Sequence, residues 1–249
     1  MRYFILLLTV LLPITTFASS GSGFSEKADN NLHDTQSLQR GAKLFVNYCL
    51  GCHSAEYVRY QRVGTDLGIS DELLKSNLMF NTEKVGEPMK SSMTKKDAKK
   101  WFGVVPPDLS VIARARGADW LYNYFTKFYL DGSRPWGVNN IVFKDVGMPH
   151  VLWELQGLQK LSHKTVEHEG QTHDETVLEV EKGNLKDDEY AQKGKEYKRA
   201  TRDLVNFLDY IGEPVKQYRQ GLGWKVVLFL IIFLIVSYLL KKEYWRDVH

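Results

Sequence analysis

Apolar residues crowd the two ends of the chain and recur at intervals between them. Residues 1–18 place one cation, Arg2, before an apolar run from Tyr3 to Leu12 that Pro13 breaks, with small residues at Thr16 and Ala18. This layout predicts a secretory signal peptide, too short to cross a bilayer as a helix. Residues 221–240 carry a single charge, Lys225, near their start. Twenty helical residues rise about 30 Å, the thickness of the hydrocarbon layer. Val226 to Val236 is apolar on every face, whereas a surface-packed helix keeps one polar side. Trp224 falls at the outer interface, where Lys225 can reach the headgroups. Tyr244 and Trp245 flank the other side, and Lys241, Lys242 and Arg246 mark a cytoplasmic tail. The expected organisation is a signal peptide over 1–18, an exported domain over 19–220, a transmembrane helix over 221–240 and a tail over 241–249.

Within the exported part, Leu38, Gly41, Ala42, Phe45 and Cys49 recur at helical spacing. Residues 58–81 show no clean period, and residues 84–100 read as a lysine-rich, solvated stretch. Pro106-Pro107-Asp108 stops the chain, and Asp108 is a plausible cap for a short helix carrying Leu109, Ile112, Ala113 and Arg116. Asp119 is the expected cap of an aromatic helix over 120–130, which Asp131-Gly132 ends. Thr176 to Glu181 has β-branched, strand-like character, with a turn at Gly183-Asn184. A last stripe of Ala200, Leu204, Phe207, Leu208 and Ile211 runs to Gly212 and Pro214. The fold class is therefore mainly α, with loop and short-strand insertions.

Composition narrows the function. At 249 residues and 43% hydrophobic, the chain can bury a real core and is neither disordered nor collagen-like. A net charge of +3 is too slight to point to nucleic acid. Two cysteines cannot staple a disulfide-rich mini-protein.

Those cysteines carry the chemistry. They stand in Cys49-Leu50-Gly51-Cys52-His53, the attachment pattern of a c-type haem. Two thiols three residues apart can each add to one vinyl group of a porphyrin, and the adjacent imidazole then meets the iron. A disulfide or thioredoxin-like pair would need βαβ surroundings, which are missing. A zinc site would need a second C-x-x-C or histidine pair, which is missing too.

Opposite His53 a second iron ligand is expected. Met148 is the first candidate, because Gly147 permits close backbone approach and Pro149 stiffens the turn. Met79 is the reserve and His150 a distant third. With the sixth position closed by a thioether, no substrate reaches the metal, and the chemistry is one-electron transfer. Arg114 and Arg116 are candidate partners for the haem propionates. Trp120 and Tyr124 are candidate ring walls.

Residues 167–196 hold ten acidic side chains against four lysines, an excess that would steer a basic redox partner. His163, His168 and His173 lie in this region as a weak candidate metal site.

Taken together, Gly41 to Ser54, Pro-Pro-Asp-Leu-Ser-Val-Ile-Ala-Arg-Ala-Arg-Gly at 106–117, Gly147-Met148-Pro149, Asp203 to Pro214 and the single C-terminal span make the chain resemble cytochrome c1 of the cytochrome bc1 complex. The resemblance implies one covalent haem c on Cys49 and Cys52, with His53 and Met148 as axial ligands. It also implies Pro107 against the haem and Arg116 on a propionate. Electrons would enter from the Rieske iron–sulfur subunit and leave to a cytochrome c, with quinol oxidised in the cytochrome b subunit. The implied setting is a bacterial inner membrane, with the haem domain on the periplasmic side and no independent catalytic site in this chain. Trp120 stands where a tyrosine is common in that family, and the insertion after Trp153 resembles the bacterial form. Two other readings remain open at this point. One is a free-standing anchored cytochrome c shuttling electrons to an oxidase. The other is a haem enzyme or gas sensor, which requires that Met148 not bind the iron.

Overall fold

The computed structural model describes residues 26–168, 171–181 and 186–247, so the signal-peptide expectation at 1–18 and the turn at Gly183-Asn184 lie outside the described residues. Two long helices frame the domain that precedes the C-terminal helix. Helix α1 (Thr35–Tyr48) starts at Asp34, whose side chain accepts from the Ser37 backbone N–H. It lays its stripe of Leu38, Gly41, Ala42 and Phe45 against the last long helix of the domain, Asp187–Gly212. The two approach closely because Gly41 has no side chain: a Cβ there would lie 2.0 Å from the Asp203 carbonyl oxygen. Around that crossing, Phe45 packs on Phe207 with ring centroids 5.6 Å apart. Arg40 grips the buried Asp203 carboxylate through Nε at 2.6 Å and Nη2 at 2.9 Å.

After α1 come β1 (Ala55–Arg59), α2 (Tyr60–Leu67), α3 (Asp71–Asn77) and β2 (Pro88–Met89), which pairs antiparallel with β1. Residues 84–100 are thus more than a solvated stretch. Thr94 caps α4 (Lys95–Phe102) by accepting from the Asp97 N–H, and Gly103, at φ +75, ends it in a left-handed turn. That turn aims residues 104–107 back towards the cysteines.

Next are α5 (Ile112–Arg116) and α6 (Ala118–Thr126). Neither predicted aspartate is a helix cap. Asp108 accepts from the Ser110 and Glu56 N–H groups, tying the Pro-Pro turn to β1, and Asp119 accepts from the Ala28 N–H in the first turn of α6. The aromatic helix also stops four residues earlier than its composition suggests. Phe128–Leu130 leaves it as β3 and pairs antiparallel with β4 (Val138–Asn140), Phe128 opposite Asn140. β-branched and aromatic side chains suit either structure, and here the partner strand decides.

A short α7 (Trp153–Gln156) leads into β5 (Gln159–His168) and β6 (Gln171–Val180), an antiparallel hairpin longer than the strand expected from residue 176. The long helix Asp187–Gly212 is α8, and it buries Leu204, Phe207, Leu208 and Ile211 as the stripe predicts. Finally α9 (Lys216–Tyr244) runs 29 residues, about 44 Å at 1.5 Å per residue, and none of its apolar window is buried. It is longer at both ends than residues 221–240, and it is long and apolar enough to cross a membrane. The core is thus a helical cluster of α1, α5, α6 and α8, with small sheets at its margins, as the mainly α reading expects.

Candidate functional site

One apolar cavity of about 410 Å³ opens where α1 ends. The helix stops at Tyr48, and the chain continues in a tight turn: the Cys49 and Leu50 N–H groups donate to the Phe45 carbonyl, and the Cys52 and His53 N–H groups to that of Cys49. This turn sets Cys49, Cys52 and His53 along one wall. Cys49 is buried, and burial pushes its thiol up to about 12; the half-buried Cys52 thiol is raised for the same reason. Burial of this kind disfavours the thiolate that a thioredoxin-like exchange pair uses. Among the described residues no group of three or more cysteine, histidine or carboxylate side chains is placed to share one metal ion. The side chains of His163, His168 and His173 lie outside the described residues.

His53 Nδ1 lies 2.7 Å from the Pro107 carbonyl oxygen. A carbonyl only accepts, so Nδ1 carries the proton and Nε2 keeps its lone pair for a metal. Burial lowers the pKa of this imidazole, partly opposed by the Pro107 contact, so the neutral form that a metal requires is favoured. Pro107 therefore does two things at once: it lines the cavity and its carbonyl sets the tautomer of His53.

Met148 lines the same cavity, together with Gly147 and Pro149. The loop that carries it is knitted by two buried asparagines that the sequence reading passed over. Asn139 Oδ1 accepts from the Asp145 and Asn140 N–H groups. Asn140 donates to the Tyr124 carbonyl at 2.7 Å and accepts from the Val142 and Phe143 N–H groups. Arg134 closes the loop from outside, donating to the Asp145 carbonyl and pairing with its carboxylate at 3.2 Å. Asp145 sits at φ +61, a conformation a non-glycine residue holds only when its surroundings fix it. An Asn-Asn pair at a strand end is a weak signal, legible only once β4 is known to feed the methionine loop.

The Tyr124 hydroxyl donates to Met148 Sδ at 3.5 Å. A thioether sulfur has two lone pairs, so it can accept this bond and still ligate a metal. Trp120 stacks on Tyr124 at 5.1 Å and 11°, and both rings wall the cavity with Phe125 and Phe143. Arg116 also lines it, with its guanidinium 5.1 Å above the Trp120 ring. Arg114 instead turns to Glu213, 3.9 Å away. Of the reserve ligands, Met79 is buried in the main core and His150 lies flat on Phe128 at 4.8 Å; neither lines the cavity. Burial takes the His150 pKa down to about 4.

These residues fit a covalent haem. Two thiols and an imidazole of fixed tautomer hold one wall, a thioether is anchored in the same chamber, and the lining between them is apolar and aromatic.

The family described as Cytochrome C1 family matches residues 24–248 of the chain. A protein named "Cytochrome c1" from Allochromatium vinosum is 48% identical over the full length of both chains. One named "Ammonia monooxygenase gamma subunit" from Nitrosomonas europaea is 47% identical over 99% of this chain and 98% of its own. A "Cytochrome c1" from Rhodospirillum rubrum is 24% identical over 87% of this chain and 83% of its own.

Proposed function

The chain belongs to the cytochrome c1 family, and from that premise we propose which of its residues do the work and for whom. As a family member it is an electron-transfer subunit of the cytochrome bc1 complex, with one covalently bound haem c and a candidate membrane helix at its C-terminus. Cys49 and Cys52 would be its thioether anchors, and His53 and Met148 would supply the iron ligands. Bound there, haem c supplies a one-electron iron couple. Pro107 keeps His53 in the tautomer that leaves Nε2 free, and the Tyr124 hydroxyl holds Met148 Sδ in place. Arg116 meets a propionate, for which its place on the cavity wall is suitable. With His53 and Met148 both serving as ligands, the metal would be closed to substrate, and this subunit would carry electrons without a catalytic centre of its own.

In this reading the chain accepts electrons from the Rieske subunit and passes them to a cytochrome c, while quinol is oxidised in cytochrome b. The exported domain faces the periplasm of a bacterial inner membrane, and α9 is its anchor. The observation that carries the reading is the meeting of the Cys49-to-His53 turn and Met148 in one apolar cavity. Affinity purification from detergent-solubilised membranes tests it: cytochrome b and a Rieske protein should co-purify with the chain. Elution of the chain alone as a holocytochrome would support a free-standing anchored shuttle instead.

A further inference from the structure

A second cavity, of about 690 Å³ and more polar, adjoins the first and shares Cys52, Val105, Pro106 and Pro107 with it. Cys52 is half-buried where Cys49 is buried, so the anchored edge of the site comes nearest to the surface here. The opposite wall is built from residues 90–95 and Ala98, the lead-in and first turn of α4.

This region is strongly basic. Residues 84–105 hold six lysines (Lys84, Lys90, Lys95, Lys96, Lys99 and Lys100) against two acids, Glu87 and Asp97. Among the described residues only Lys90 of the six reaches a carboxylate, that of Glu56 at 3.8 Å. Lys95, Lys96, Lys99 and Lys100 are exposed. Their like-charged i,i+4 pairs, 95 with 99 and 96 with 100, cost the helix a few tenths of a kcal/mol each. Lys99 and Lys100 stand in the last turn, where cations complement the helix dipole, a gain of similar small size.

Between these lysines and the haem cavity lie exposed apolar side chains: Trp101 at 56%, Val104 at 57% and Val105 at 44% exposure. An apolar centre carrying a tryptophan, with charge around it, is how transient protein interfaces are built. The two carboxylates on the wall of the polar cavity are engaged, Glu56 with Lys90 and Asp108 with two backbone N–H groups. The acidic stretch 167–196, expected to draw a basic partner, is placed differently: none of its described residues lines either cavity.

We propose that the face made by α4 and residues 101–105 docks the electron acceptor, and that the acceptor's contact surface is acidic. This rests on the haem reading above and adds the charge of the partner.

The test uses the full-length holoprotein in detergent and two soluble monohaem cytochromes c of similar potential, one net negative and one net positive. Calorimetry gives the dissociation constant for each at low and high ionic strength, and stopped-flow gives the rate of oxidation of the reduced chain. The acidic cytochrome is expected to bind more tightly than the basic one and to lose affinity with salt. The double variant Lys95→Glu/Lys99→Glu should weaken its binding and slow its reaction by roughly tenfold or more at low salt, within the range of electrostatic steering. The midpoint potential should not change. Lys193→Glu/Lys195→Glu on α8 makes the same charge change away from both cavities and should have little effect. Tighter binding of the basic cytochrome would overturn the proposal. So would a patch variant that binds the acidic one as the wild type does, or an equal effect from the α8 variant. If the acidic cytochrome binds as expected yet takes no electrons from the reduced chain, the face binds an acidic partner but the proposal that it docks the electron acceptor is overturned.

Discussion

Replacing Gly41 by alanine adds one methyl group at the α1–α8 crossing, and two opposite effects compete there. Alanine favours a helix over glycine by roughly 0.5–1 kcal/mol. The new Cβ, however, would lie 2.0 Å from the Asp203 carbonyl oxygen and 2.7 Å from Phe207 Cβ. Merely reaching 3.0 Å from that oxygen requires the helices to part by about 1.0 Å. The obstacle is backbone, which cannot rotate aside. Parting the helices also loosens the Phe45–Phe207 contact and the Arg40–Asp203 pair, which lie at the same crossing. Overpacking of this kind costs about 1–3 kcal/mol, with more where backbone must move, so strain outweighs propensity. Taken at the upper end, about 3 kcal/mol less the propensity gain, the net loss is about 2 kcal/mol, which lowers the melting temperature by roughly 4–8 °C for a chain of this size. The assay is thermal unfolding of the detergent-solubilised holoprotein followed by circular dichroism. Gly194→Ala in α8 is the control, because a Cβ there meets nothing within 4 Å and only the propensity gain remains. An unchanged or raised melting temperature for Gly41→Ala would refute the close-crossing argument.

Three other outcomes follow from the same geometry. The Glu26 carboxyl is held below the usual range: burial pushes it up, but Lys127 at 2.7 Å and Lys198 at 2.9 Å outweigh that. A depressed folded-state value stabilises the fold above the unfolded-state value of about 4.3, and this contribution is lost as pH falls through the folded one. Glu26→Gln should therefore lower the melting temperature at pH 7, with the difference from wild type shrinking on acidification; a constant difference would show that charge is not the cause. Asn140→Ala leaves the Val142 and Phe143 N–H groups without their acceptor, for a loss of about 2–4 kcal/mol in chemical denaturation, and a variant as stable as the wild type would contradict the loop analysis. Tyr124→Phe removes the donor to Met148 Sδ, which makes the sulfur a better electron donor to the metal; redox titration should show a lower midpoint potential with the reduced spectrum kept, and an unchanged potential would dismiss this contact.

Much of this site is legible in the sequence because its chemistry is local. The C-x-x-C-H run continues a helix whose stripe of Leu38, Ala42 and Phe45 is plain, and Met148 stands between a glycine and a proline. The C-terminal candidate membrane helix is equally plain from its all-round hydrophobicity. What escapes is long-range. The aromatic run 120–130 has the periodicity of a helix until β4 arrives to pair with Phe128–Leu130, and nothing local announces that pairing. Asp108 and Asp119 have the composition of caps, but their carboxylates bond to backbone groups of other segments. The hold of Asn139, Asn140 and Tyr124 on the methionine loop depends on contacts 6 to 24 residues away, which no window of sequence shows. Helix α4 is hidden by its own lysines, since Ala98 is its only buried side chain.

The proposed electron transfer depends most on Met148 serving with His53 as an iron ligand. Carbon monoxide added to the reduced holoprotein tests this directly, with Met148→Ala measured alongside. The wild-type optical spectrum should stay unchanged, while the variant should shift promptly and show a lower midpoint potential. A prompt shift in the wild type, or a variant indistinguishable from it, would contradict the assignment.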